Sequence, residues 1–260
     1  MSARGTFVSI LAWPLKGLVR TILGPSLYQQ VRVTFLGEQS GLGLDWRWAN
    51  SLRRPHPIRR DFGWQAGQPI DRYYTEQHFL PACRADIRGR VLEIGDDRYT
   101  RQFGAEKVTV SEVLHLHPDT PGATICADLT KADHIPSDSF DCIILTFTLQ
   151  FIFDVRAAIR TVARILNPGG VALLVFPGIT QISRYDMDNW GEFWRFTSLS
   201  ARRLFEEVFP PDDVTVTTYG NVLAATASLQ GLISSELRRE ELDHWDRDYE
   251  LVIGLRAVKR

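Results

Sequence analysis

The sequence predicts an α/β protein built on one open, doubly wound, mainly parallel sheet of seven strands, preceded by an N-terminal extension. Three observations lead there. From residue 90 onward, short apolar, β-branched runs recur, each ended by a turn or polar signal. A helical pattern with short links separates the last two runs of the first five, which implies crossover connections. The chain then closes on two further strand patterns where another helix would otherwise follow, as a terminal pair at one sheet edge would require.

The first five strands are expected at RVLEIG (90–95), KVTVSEV (107–113), ATICADL (123–129), FDCIILTF (140–147) and GVALLVFP (170–177). Between the last two, Asp154 is placed to cap a helix whose core stripe is Val155, Ile159, Val162 and Leu166. Arg156, Arg160 and Arg164 fall on its wet side, and NPGG (167–170) is expected to stop it. SARRLFEEVF (200–209) reads as an amphipathic helix, VTVTTYG (214–220) as a strand, 221–240 as a helix and YELVIGLRAV (249–258) as the last strand.

With 44% apolar and 23% charged residues, 260 residues can bury one large core, which excludes disorder, collagen and coiled coil as overall descriptions. The net charge of -1 hides an asymmetry: residues 1–60 carry nine Lys/Arg against Glu38 and Asp45, and the remainder is acidic. The division expected is a basic, aromatic extension or lid over 1–70 and a core domain over 71–260. Val8, Leu11, Leu15, Leu18 and Ile22 share a helical face, interrupted by Pro14 and Gly17. That segment suits an anionic membrane surface, a transit peptide, or packing on its own domain or a partner, and base rates favour packing. Residues 37–70 read as irregular structure, and Arg53, Arg54, Arg59 and Arg60 as a solvated face in preference to a nucleic-acid site. No apolar run is long enough to span a bilayer, and Cys83, Cys126 and Cys142 have no metal spacing, which fits a reducing cytoplasm.

In an open α/β sheet the ligand lies beyond the carboxyl ends of the strands, so the turn after the first strand is informative. It reads Glu93-Ile94-Gly95-Asp96-Asp97-Arg98-Tyr99, and Glu112 follows Glu93 by 19 residues, a spacing that suits an acid accepting both ribose hydroxyls of an adenosine. One Gly and three carboxylates would repel a pyrophosphate. S-adenosylmethionine brings the adenosine without phosphate, and its ammonium and sulfonium outweigh its single carboxylate.

At these residues the chain resembles the class I S-adenosylmethionine-dependent methyltransferases, of the bacterial type associated with small-molecule and glycan modification. VLEIG resembles the first motif, SEV with Glu112 the ribose acid, and ADL with Asp128 and Leu129 the loop that holds adenine. SFDCIILTFTLQFI and RILNPGG with VALLVFPG resemble the fourth strand, the helix end and the fifth strand. The resemblance runs from about Asp71 to the C-terminus. It departs from the family at Asp97 and Tyr99, where glycines are usual. A variant site would use Asp96 or Asp97 for the ammonium, whereas a degenerate one would belong to a non-catalytic module binding a glycan-assembly partner or a membrane surface.

The cofactor residues implied are Tyr74, Glu93, Gly95, Asp96, Asp97, Glu112, Asp128, Leu129 and Thr146. Structural roles compete for several: Glu93 as a cap of the next helix, Asp128 as a turn residue, Thr146 as core. The acceptor, a small molecule with a saccharide hydroxyl favoured, is expected between the 70–74 segment and ISRYDMDNWGEFWRF (182–196), where Tyr73, Tyr185, Trp194 and Arg195 offer stacking and hydrogen bonds. Asp186 is the expected general base, ahead of His115 and Tyr74; Gln150 stands where relatives often carry His, which argues against a base there. His115 and His117 lack further ligands at metal spacing, so no metal is expected. A nicotinamide-dependent sugar oxidoreductase is the least favoured reading, because the second and third glycines are missing.

Overall fold

A computed structural model describes residues 54–260. The amphipathic segment at 8–22 and residues 37–53 of the 37–70 stretch, Arg53 included, lie outside the described residues. Arg59 to Arg260 forms a compact unit.

Its centre is a seven-stranded sheet: β1 (Gly89–Ile94), β2 (Val108–His115), β3 (Ile125–Cys126), β4 (Phe140–Thr146), β5 (Leu166–Pro177), β6 (Val214–Tyr219) and β7 (Val252–Val258). They run in the order β3-β2-β1-β4-β5-β7-β6. β1, β2, β3, β4 and β5 pair in parallel, whereas β7 lies antiparallel between β5 and β6. The order reverses between β1 and β4, so their carboxyl ends part to leave a crevice.

The central strands carry near-continuous apolar runs because helices cover both faces. Cys142, Ile143, Ile144 and Leu145 of β4 and Val171 to Phe176 of β5 are all buried. Helix α1 (Ile70–Tyr74) continues through a π-helical turn (Thr75–Phe79) to Leu80–Ala82. That extra turn residue brings Phe79 onto Gly254 of β7, where an added Cβ would collide with the ring. α2 (Val155–Ile165) begins at Asp154, whose side chain accepts from the Ala157 N–H.

α3 (Arg184–Asn189), α4 (Ser198–Glu206), α5 (Val222–Leu229) and α6 (Arg239–Asp243) complete the described α-helices. None among the described residues is long and apolar enough to cross a membrane.

Four local expectations need correction. α2 ends at Ile165 and the chain enters β5 directly, because Leu166 is already extended, at φ -67° and ψ 141°. NPGG therefore lies in the first residues of β5. Arg164 is not on a wet face: its guanidinium reaches the Ala132 and Ile135 carbonyls at 2.8 and 2.6 Å, tying down the loop before β4. The third strand shrinks to two residues, because the chain turns at Asp128, whose carboxylate accepts from the Thr130 N–H and hydroxyl. The helix expected over 221–240 stops at Leu229, since Gly231 takes φ +71° against the Arg59 backbone.

Candidate active site

The crevice at the reversal point holds a cleft of about 590 Å³. Ile94 and Gly95 form its floor, Leu114 to His117 and Ala127 to Thr130 one wall, and Thr146 to Thr148 with Phe151 to Asp154 the other. Asp186 and Trp190 of the α3 region close it.

Gly95 has φ +92°, and a Cβ built there meets nothing within 4 Å, so its backbone borders open space. The Gly95 N–H donates to the Leu114 carbonyl at 3.0 Å, which sets the turn against the end of β2. Three carboxylates line the cleft, those of Asp128, Asp154 and Asp186, and none of the described lining residues is Lys or Arg. Its field favours a cationic guest and opposes a phosphate. Leu114, Leu116, Ala127 and Leu129 give it apolar surface for a planar base.

Five expected residues are thus brought together here: Gly95, Asp128, Leu129, Thr146 and Asp186. The others are not. Glu93 is 2% exposed and accepts from the N–H groups of Tyr99 and Thr100 and from the Thr100 hydroxyl, so it caps the segment after β1. Burial, which these bonds only partly offset, pushes its carboxyl up to about 7.

Asp96 accepts from the Arg98 N–H, and Asp97 pairs with Arg101 at 2.7 Å; both border a separate shallow surface with Gln102. Glu112, expected as the ribose acid, lies outside the lining of this cleft. β2 runs on to His115 and Ile94 pairs with Leu114, so the position beside the turn belongs to Leu114 and His115. Glu112, opposite Leu92, lies within the strand and meets Arg90 at 2.9 Å. Hydrogen bonding from Thr124, then Arg90, holds its carboxyl below the usual range.

Tyr74 is buried away from the cleft, stacked on Tyr219, with its hydroxyl donating to the Leu242 carbonyl at 2.7 Å. The Tyr73 hydroxyl donates to Asp243 at the same distance. Tyr185 is 70% exposed and meets Trp190 edge-on. Trp194 stacks on Phe153 and donates to the Ile152 carbonyl, while Arg195 pairs with Glu192 and donates to the Gln181 and Trp194 carbonyls. His115 and His117 line the cleft, and the His115 Nδ1 accepts from the His117 N–H at 3.1 Å.

A second cavity of about 270 Å³ shares Phe147, Phe151 and Asp186 with the first. Its other walls include Phe62, Trp64, Asp71, Arg72, Gln150 and Glu192. Phe147 sits in left-handed backbone, φ 50°, a conformation disfavoured for a bulky side chain and found where structure overrides local preference. The Arg72 guanidinium lies 4.8 Å from the Phe147 ring centroid and 5.4 Å from that of Trp64. Burial raises the Asp71 carboxyl above its ordinary value. Asp186 accepts from the Trp190 indole N–H at 3.1 Å, which fixes its carboxylate where the two cavities meet.

Sequence reasoning placed the acceptor between the 70–74 and 182–196 segments, and Asp71, Arg72, Ser183, Asp186 and Glu192 do come from them. It missed Phe62, Trp64, Phe147 and Gln150. The turn at Asp61, whose carboxylate accepts from the Gly63 and Gln65 N–H groups, was the one local signal for the first two.

Residues 84–174 match the family model described as a methyltransferase domain. The ubiquinone/menaquinone biosynthesis C-methyltransferase UbiE of Haemophilus ducreyi is 27% identical over 109 residues, 39% of this chain and 36% of that protein. The match thus spans little more than a third of that relative's length. Among solved structures, a methyltransferase of Mesorhizobium loti described as S-adenosylmethionine dependent is 22% identical, covering 69% of this chain and 96% of that one, with a TM-score of 0.44. The N-methyltransferase NodS of Bradyrhizobium japonicum, in complex with S-adenosylhomocysteine, is 15% identical over 78% of this chain and 94% of its own, with a TM-score of 0.45.

Proposed function

We propose that this chain, whose residues 84–174 match a methyltransferase domain, transfers the methyl group of S-adenosylmethionine to a hydroxyl of a sugar or other small natural product. The observation that carries this reading is a pair of adjoining cavities, one acidic and free of Lys and Arg among its described lining residues, the other aromatic and polar, meeting at Phe147, Phe151 and Asp186.

When bound, S-adenosylmethionine supplies a methyl group activated by its sulfonium. Leu114, Leu116, Ala127 and Leu129 would cover the adenine, and Asp128, Asp154 and Asp186 would favour the cationic portion. Phe147 and Phe151 would separate the cavities and keep water from the reacting atoms. Asp186 would take the proton of the acceptor hydroxyl as its oxygen received the methyl group, with a neutral thioether as the leaving group. The aromatic rings of the second cavity suit the apolar faces of a sugar, and its carboxylates and amide suit hydroxyls.

Calorimetric titration with S-adenosylhomocysteine, followed by a mass-spectrometric screen for a gain of one methylene unit on candidate saccharides, tests the proposal. Binding with methyl transfer, and a loss of about 10²- to 10⁴-fold in kcat for Asp186→Asn, is the expected result. No binding at millimolar S-adenosylhomocysteine would favour the non-catalytic module instead.

A further inference from the structure

Two buried polar atoms, on residues that line the second cavity, have no protein partner: Gln150 Oε1 and Arg72 Nε. Both residues line that cavity, and Gln150 as a whole is 3% exposed. Buried polar groups are nearly always satisfied, so a pair left open at one cavity points to a group they receive.

The orientation of Gln150 is determined by its neighbour. Its Nε2 donates to the Phe147 carbonyl at 2.8 Å; turning the amide over would set Oε1 against that carbonyl, acceptor against acceptor. The Gln150 backbone is held as well, because its carbonyl accepts from the Phe193 and Trp194 N–H groups. Arg72 is equally constrained between Trp64 and Phe147, with NH1 donating to the Tyr99 hydroxyl at 2.7 Å. Its Nε offers a donor and nothing else, while Gln150 Oε1 offers an acceptor and nothing else.

That opposition selects a chemical class. A carboxylate or phosphate answers Arg72 and leaves Gln150 unpaired. An ammonium answers Gln150 and meets Arg72 as a like charge. Hydroxyls suit both, since the same group donates to Oε1 or accepts from Nε. Resting on the methyltransferase reading above, we propose that Gln150 and Arg72 bind non-reacting hydroxyls of the acceptor. They thereby make the enzyme selective for polyols, with Asp186 serving the hydroxyl that is methylated.

The test uses the full chain saturated with S-adenosylhomocysteine and follows ligand binding by saturation-transfer NMR. The probes are methyl α-D-glucopyranoside, methyl α-D-mannopyranoside and myo-inositol, each with its set of monodeoxy analogues. At least one parent polyol is expected to bind, with one deoxy analogue weaker by about ten- to a hundredfold. Gln150→Met is expected to lower the parent to the level of that analogue while S-adenosylhomocysteine affinity stays within about twofold. Gln150→His, which keeps a donor for Phe147 and an acceptor for the ligand, is expected to retain the discrimination.

A purely structural role for Gln150 would weaken parent and analogue alike, so an unchanged ratio in Gln150→Met overturns the proposal. So does the absence of polyol binding in a protein that binds S-adenosylhomocysteine, which would mean that ordered water satisfies the two atoms. Failure to bind S-adenosylhomocysteine at all counts instead against the methyltransferase reading itself.

Discussion

Glu93 receives three hydrogen bonds and still titrates high, because burial in the strand end outweighs them. The sign of the consequence follows from linkage: the folded protein holds this proton more tightly than the unfolded chain, so stability is withdrawn as pH rises from about 4.5 toward 7. Glu93→Gln should remove that fall, a difference on the order of 3 kcal/mol at most. Thermal melts of both proteins at pH 5 and pH 8 check it, and parallel pH profiles would contradict it. Asp128 lines the cleft and Glu112 does not. Asp128→Ala should weaken S-adenosylhomocysteine binding by about 1–3 kcal/mol. Glu112→Ala should leave that affinity unchanged, since its carboxylate is engaged by Arg90 within the sheet. Titration calorimetry separates the two, and the reverse ranking would restore Glu112 to the ribose. A spacing of 19 residues from Glu93 could not reveal this, because it counts residues and not where β2 ends.

At the scale of elements, α1 serves the site by holding Asp71 and Arg72 against it while its other face docks on the sheet. Tyr74 is part of that docking, through its stack on Tyr219 and its bond to the Leu242 carbonyl of α6. Tyr74→Phe should therefore cost about 1–2 kcal/mol of stability, from a lost hydrogen bond and a carbonyl left unpaired. Cofactor affinity should stay as it was; denaturant melts and calorimetry on one preparation measure both. Most elements were legible locally, above all β1, β4, β5 and α2, whose periodicity and caps agree with their burial. The breaks were not, because Leu166 turns extended and Gly231 takes φ +71° through contacts made far along the chain.

For the molecule as a whole, the order β3-β2-β1-β4-β5-β7-β6 places the crevice between β1 and β4 and directs an acidic field into it. S-adenosylhomocysteine at a hundredfold excess over its Kd should stabilise the fold by about 2.7 kcal/mol, a rise in Tm of about 5–10 °C for a chain of this size. NAD(P) should give none; a larger shift with the dinucleotide would overturn the electrostatic assignment of the cleft. By itself the sequence determined the doubly wound, mainly parallel sheet and the pair of strands that ends it. These depend on local patterns of hydrophobicity and charge that survive without knowledge of neighbours. Only the tertiary structure decided which carboxylates face the cleft and which are consumed by Arg90, Arg101 or a helix start. The same holds for the pairing of Phe62, Trp64 and Arg72 with Phe147 and Gln150. Register and side-chain direction are properties of packed strands, and a slip of one residue turns a side chain to the other face of the sheet.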